Sequence, residues 1–242
     1  MNLCQTLRFV FLFFLMLPAP GQAQLTFTTN GGSITITGYT GSPTTLIIPG
    51  TTNGWSVTSI GTSAFIGKSS IISVTIPDSI TSIGNMAFFK CIGLTNLTIP
   101  DSVTNIGYAA FDQCSGLIGA TIGGGITSNG GNTFYQCTQL ASVAIRNGAS
   151  SISEYMFYNC NSLTNILFPN SITNIGTGTF DGCTALANIT IPDSVTIGSA
   201  VSRIPDSMFD GCTNLSSVTF PQRVRRLHDS DQRVFQRQRP QT

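Results

Sequence analysis

The sequence predicts a solenoid, mainly β with short helical turns, built from about seven 23-residue coils in parallel ladders. Three observations carry that expectation. Phe65, Phe88, Phe111, Phe134, Phe157 and Phe180 recur every 23 residues, and Phe209 follows after 29. Cys91, Cys114, Cys137, Cys160, Cys183 and Cys212 keep the same beat, as do Leu94, Leu117, Leu140, Leu163, Leu186 and Leu215. Charge is scarce: Asp, Glu, Lys and Arg make up 9% of the 242 residues, against roughly a quarter in an average soluble chain, while 41% are hydrophobic. A lone unit of this size has too few apolar groups to bury its own face, so coils must stack on coils. Stacking sets each residue against its own copy, where a repeated charge repels itself at about 5 Å and stacked Thr, Ser and Asn hydrogen-bond instead.

Met1 to Arg8 carry one positive charge and precede nine uninterrupted apolar residues, Phe9 to Leu17. Small residues follow at Gly21 and Ala23, the spacing of a signal-peptidase site, so residues 1–23 are expected to be a signal peptide. Nine helical residues rise only about 14 Å, too little for a membrane span. Residues 24–59 stand between this leader and the first repeat.

Residues 60–221 hold the repeats. The unit is F-x-x-C-x-x-L-x-x-Φ-x-I-P-D-S-Φ-T-x-I-G-x-x-A, with Φ aliphatic, and its clearest copy runs from Phe88 to Ala110. Leu97 to Ile99 alternate inward and outward as a short strand, which Pro100 stops for lack of a ladder donor. Val103 to Gly107 give a second short extended piece, and Ala110 to Cys114 have the spacing of a single helical turn. The first copy carries Lys68 for Cys and Ile71 for Leu, the third has Gly123-Gly124-Gly125 for Pro-Asp-Ser, and six extra residues fall between Val195 and Ile204.

The pattern L-x-x-Φ-x-I-P-x-S-Φ-T-x-I-G-x-x-A-F-x-x-C resembles the BspA-type leucine-rich repeats of secreted and surface bacterial proteins, from Ile60 to Pro221. The resemblance implies a right-handed leucine-rich-repeat solenoid that binds proteins or surface glycans, commonly described as an adhesin. It also implies that residues 24–59 form an N-terminal β-hairpin cap and lead-in segment, with a hairpin across Phe27 to Tyr39 that runs on to Leu46-Ile-Ile-Pro49. It implies no catalytic residues.

Residues 222–242 leave the pattern. They hold six arginines and two aspartates, a charge of +4, while residues 24–221 carry four basic and eight acidic groups, so that the whole chain comes to +1. One reading is a basic tail that grips anionic lipid, glycan or nucleic acid. A frame-shifted eighth repeat accounts for more of the residues: Gln232-Arg-Val-Phe235, read one base later, can encode Asn-Ala-Phe-Ser, and Ala-Phe is the next signature of the unit. On that reading the last coil has an uncovered apolar end through which the protein self-associates.

Six cysteines in an exported chain permit 15 disulfide pairings. Their place midway between an inward Phe and an inward Leu instead makes them a column of buried free thiols, small fillers rather than bridges or metal ligands. Outward positions of the first strand form the candidate binding face: Thr75, Thr98, Thr121, Thr190 and Thr219 in one column, interrupted by Ala144 and Leu167, with Asn96, Asn165 and Asn188 beside it. Gly123 to Gly125 read as a relaxed corner rather than a phosphate loop, having no following Gly-Lys-Ser/Thr. Three glycosylation sequons begin at Asn96, Asn188 and Asn214. One His, one Glu and no clustered acid-base groups argue against an enzyme, and the body has no basic face for nucleic acid. The expected function is therefore exported binding of an extracellular protein or polysaccharide by the strand face, at the cell surface or secreted, with no cofactor. The alternatives are a self-associating envelope element, a truncated product and, remotely, an ice-binding Thr array.

Overall fold

The computed structural model describes residues 24–195 and 207–219. The expected signal peptide, the six extra residues after Val195 and the tail at 222–242 lie outside the described residues, and the strand-face residues lie within them.

The chain opens with β1 (Gln24–Asn30) and β2 (Ser33–Thr40), an antiparallel hairpin, followed by β3 (Thr45–Ile47), β4 (Thr51–Thr52) and β5 (Trp55–Ile60). Each later coil contributes a first strand and a shorter second one: β6 (Ser73–Thr75) and β7 (Ser82–Ile83), β8 (Asn96–Thr98) and β9 (Asn105–Ile106), β10 (Gly119–Ile122) and β11 (Ser128–Asn129). Then come β12 (Ser142–Ile145) and β13 (Ser151–Ile152), β14 (Asn165–Leu167) and β15 (Asn174–Ile175), and finally the first strands β16 (Asn188–Thr190) and β17 (Ser217–Thr219). First strands pair in parallel from β3 through β6, β8, β10 and β12 to β14, and second strands from β5 through β7 and β9 to β11. The register steps by one repeat, so that Gly119 faces Asn96 on one side and Ser142 on the other. The architecture is the solenoid of parallel ladders that the 23-residue period predicts, and β1 and β2 supply the hairpin that the family resemblance implies.

The interior is a set of like-on-like columns. The seven repeat phenylalanines are fully buried, and from Phe88 to Phe209 their rings stack at centroid distances of 5.0 to 5.8 Å with interplanar angles of 6 to 12°. Tyr39 of the cap extends the column to Phe65 at 5.8 Å, and the Lys68 ammonium lies 4.7 Å from the Tyr39 ring centroid. The first copy thus replaces Cys by a residue that closes the column onto the cap through a cation–π contact.

The segment expected to be a helical turn is a turn without a helix; no helix occurs among the described residues. In the Phe88 coil, Met86, Phe88 and Lys90 donate their N–H groups to Tyr108, Ala110 and Asp112 of the next coil, while Ala87, Phe89 and Cys91 donate to the carbonyls three residues back. Met86 and Lys90 have φ of 53° and 58°, and the same two places are left-handed at Ala109 and Gln113 in the next coil. A helix needs every N–H for itself. The solenoid spends alternate ones on its neighbour, and two left-handed residues per coil make that alternation.

Hydroxyl columns hold the outside. Thr104 Oγ1 donates to Thr81 O at 3.2 Å and Thr127 Oγ1 to Thr104 O at 3.2 Å, and Ser102, Ser171 and Ser194 donate to Ile80, Ala149 and Ile172 carbonyls at 2.8, 2.6 and 2.6 Å. These bonds join successive coils without placing a charge in the column. The triple-glycine corner is not relaxed, as the sequence reading had it. A Cβ on Gly124 would collide with Asn147 O, and one on Gly125 with Asp101 O, so three coils press together there and only glycine fits.

Candidate functional site

The first strands present their outward residues on two parallel sheets, one running from β3 to β14 and one made of β16 and β17. Thr98 lies opposite Thr121, then Ala144, then Leu167; Thr190 lies opposite Thr219, and Thr75 opposite Ile47 of the cap. In the neighbouring column Ser73, Asn96, Gly119, Ser142 and Asn165 are in register, as are Asn188 and Ser217. Thr75, Asn96, Thr98, Asn165, Asn188, Thr190 and Thr219 are exposed, and Thr121 is half-buried. Leu167 is 61% exposed and Ile47 67%, so each end of the longer column carries a bare aliphatic side chain. No residue of these columns is ionisable. The sheets offer hydroxyls, amides and two apolar points.

A groove of about 510 Å³ runs parallel to these columns, at the corner where each coil enters its first strand. One wall is Lys90, Gln113, Gln136 and Asn159; the other is Ile92, Ser115, Thr138 and Asn161. The first four occupy one position of successive coils and share the left-handed conformation, with φ of 54 to 58°. Gly67, Gly182 and Gly211 hold the same position, with φ of 67 to 73°, in the flanking coils. The side chains are thus confined to the middle of the array.

Just outside this wall lies an aromatic cluster. Tyr135 and Tyr158 stack at 4.5 Å with an interplanar angle of 7°, Tyr155 meets Tyr158 edge-on at 6.1 Å, and Asn132 donates to the Tyr108 hydroxyl at 3.2 Å. Four of the five tyrosines in the chain are therefore gathered on neighbouring coils. The Tyr155 ring leans over Gly178, where a Cβ would strike it. Asp112 continues the Tyr135 column one coil earlier. It is 7% exposed, its Oδ1 is buried without a hydrogen-bond partner, and burial pushes its carboxyl up to about 6 despite the Gln113 side chain and the Lys90 charge.

The six cysteines are free, fully buried and uniformly employed. Each thiol donates to the carbonyl of the preceding coil's phenylalanine: Cys91 to Phe65, Cys114 to Phe88, Cys137 to Phe111, Cys160 to Phe134, Cys183 to Phe157 and Cys212 to Phe180, at 3.0 to 3.2 Å. Burial pushes every one of these thiols up, Cys91 and Cys212 to about 12, which suppresses the nucleophilic thiolate. They are bonded spacers rather than passive fillers. Among the described residues no group of three or more His, Cys, Asp or Glu side chains is placed to hold a metal.

At the triple-glycine corner, Asp101 Oδ1 accepts the Gly124 N–H at 2.8 Å and Asp101 Oδ2 meets Arg146 at 3.2 Å, two coils away. The Gly124 amide and the arginine hold the Asp101 carboxyl below the usual carboxylate range. The pair is exposed and spans the coil that lacks its own Asp.

Residues 58–187 and 184–235 match the family model described as the BspA type leucine rich repeat region, in 6 copies. The chain belongs to the BspA-type leucine-rich-repeat family. Among solved structures, this BspA-type solenoid is similar to the leucine-rich-repeat protein of T. pallidum, with 26% identity, a TM-score of 0.55, and coverage of 93% of this chain and 96% of that one. It shares its fold with a leucine-rich repeat protein from Eubacterium ventriosum at 21% identity and a TM-score of 0.63, over 81% of this chain and 51% of that one. No curated protein matches the chain in sequence.

Within the BspA-type framework, the repeated Phe, Cys and aliphatic residues face inward, and the surface is written by the positions between them. The strand-face columns were readable from those positions. The amide wall and the tyrosine cluster were not singled out, although Gln113 and Gln136, and Tyr135 and Tyr158, are each spaced by one repeat.

Proposed function

We propose that this BspA-type chain is an exported binding scaffold, adhesin-like and non-catalytic, that docks an extracellular protein or polysaccharide on its strand face. The observation that carries the reading is the run of outward columns around Asn96, Thr98, Asn165, Leu167, Asn188 and Thr190. They lie on two uncharged parallel sheets, β3 to β14 and β16 with β17, whose ordering cost is met by folding before any partner arrives. The leader at residues 1–23 supports export and a place at the cell surface or outside it.

The test is retention of the purified chain on immobilised extracellular-matrix proteins and on polysaccharides, beside the double variant Thr98→Arg/Thr190→Arg. These positions are exposed and four repeats apart, so the two arginines do not stack on each other. Retention by the parent and a loss of tenfold or more in the variant is the expected result. Retention unchanged by the two arginines removes the strand face from the interaction.

A further inference from the structure

The geometry points to the groove beside the strand face as a binding site for an uncharged linear polysaccharide, lying along the solenoid axis with one sugar unit per coil. This deepens the scaffold reading and rests on it. Gln113, Gln136 and Asn159 put an amide at the same point of three successive coils, and Ser115, Thr138 and Asn161 face them with hydroxyls and an amide. An amide both donates and accepts, as a sugar hydroxyl does, so the two walls complement a ligand rich in hydroxyls and poor in charge. Lys90, at one end, is the only ionisable group on either wall.

Period discriminates between polymers. Coils repeat at about 4.8 Å, whereas an extended peptide presents like-facing side chains only every second residue, roughly 6.5–7 Å apart, and loses register within two coils. A pyranose unit is about as long as one coil spacing, so a sugar chain stays in step with the amides. The residue before each amide adds a second element of recognition: Tyr135 precedes Gln136 and Tyr158 precedes Asn159, and because these half-buried rings stack face to face across the coils, it is their edges and hydroxyls that they offer to a sugar chain beside the amides. The flanking coils have glycine at the amide position, at Gly67, Gly182 and Gly211. The groove is therefore written into the middle coils and not imposed by the fold.

Native affinity gels containing hydroxyethylcellulose, laminarin or yeast mannan, with anionic hyaluronan for comparison, test this on the whole chain. Two variants disarm the groove independently: Gln136→Gly adopts the residue used by other coils at that left-handed position, and Thr138→Arg fills the opposite wall where Ile92 is accommodated one repeat pair earlier. The expected result is retardation by at least one neutral polysaccharide, weakened tenfold or more in both variants, with near-UV circular dichroism unchanged. Retardation lost only in Thr98→Arg/Thr190→Arg, or stronger on hyaluronan than on every neutral chain, overturns the groove assignment. Binding to matrix proteins through the strand face with no retardation by any polysaccharide also overturns it while leaving the scaffold reading standing; binding to neither class overturns both.

Discussion

At the scale of single residues, the cysteines show how an interior column does more than fill space. Each thiol supplies a second donor to a phenylalanine carbonyl that already accepts the N–H of a residue in its own coil, as Phe88 O accepts Cys91 N at 3.1 Å and Cys114 Sγ at 3.1 Å. Their burial and raised pKa values predict a sharp contrast in reactivity. In the native chain lacking residues 1–23, a thiol reagent at pH 8 should modify none of the six within minutes, and all six in denaturant. Prompt native labelling, or fewer than six in denaturant, contradicts the free buried column. Asp112 is the opposite case, a carboxyl in a column that suits an aromatic ring. Because burial raises its folded-state pKa to about 6 above the unfolded value, the folded state binds the extra proton. The resulting stability is fully present below about pH 4 and is lost as the pH rises through about 6. Asp112→Asn should remove that fall and stabilise the protein at pH 7 by about 1–2 kcal/mol, the full shift being reduced by the nearby solvent. Denaturant melts at pH 4 and pH 7 measure it; an equal loss of stability at both pH values would show that the carboxylate is held by a partner.

At the scale of the coil, sequence and structure agree where a residue's own shape decides, and part where the neighbour decides. Leu97 to Ile99 read as a strand because alternation and Pro100 are local signals, and β8 lies there. Ala110 to Cys114 read as a helical turn because their spacing is local too, yet the N–H of Phe111 goes to Thr133 of the next coil at 3.0 Å. Nothing within one repeat announces that diversion. The triple-glycine corner has the same lesson, since its tightness comes from Pro100, Asp101 and Asn147 on adjacent coils. Gly124→Ala should therefore cost on the order of 2 kcal/mol or more, because the added methyl meets a backbone oxygen that must move. Arg146→Ala, which removes an exposed, solvent-screened ion pair, should leave stability nearly unchanged. Comparable melting points for the two variants would mean that the corner yields and the packing is looser than these contacts imply.

At the scale of the whole molecule, scarcity of charge and breadth of surface have one cause. Columns of like residues favour uncharged groups that can bond from coil to coil, and the Thr and Ser hydroxyls do so by donating to backbone carbonyls of the preceding coil rather than to one another. The repeat made the core legible, down to which Phe stacks on which. It left the tyrosine cluster and amide wall illegible, because the residues between signature positions acquire a common surface only when successive coils are laid side by side. The same construction brings the proposed binding surfaces onto the same coils: strand-face columns, groove and tyrosines all draw on the middle coils of the array. The most direct test of that claim is hydroxyl-radical footprinting of the chain alone and with whichever polysaccharide or matrix protein retains it. Protection confined to Ile92, Tyr135, Tyr158 and Leu167, with Trp55 of the cap equally reactive in both states, is the predicted result. Protection of Trp55, with those four side chains unchanged, would contradict the account.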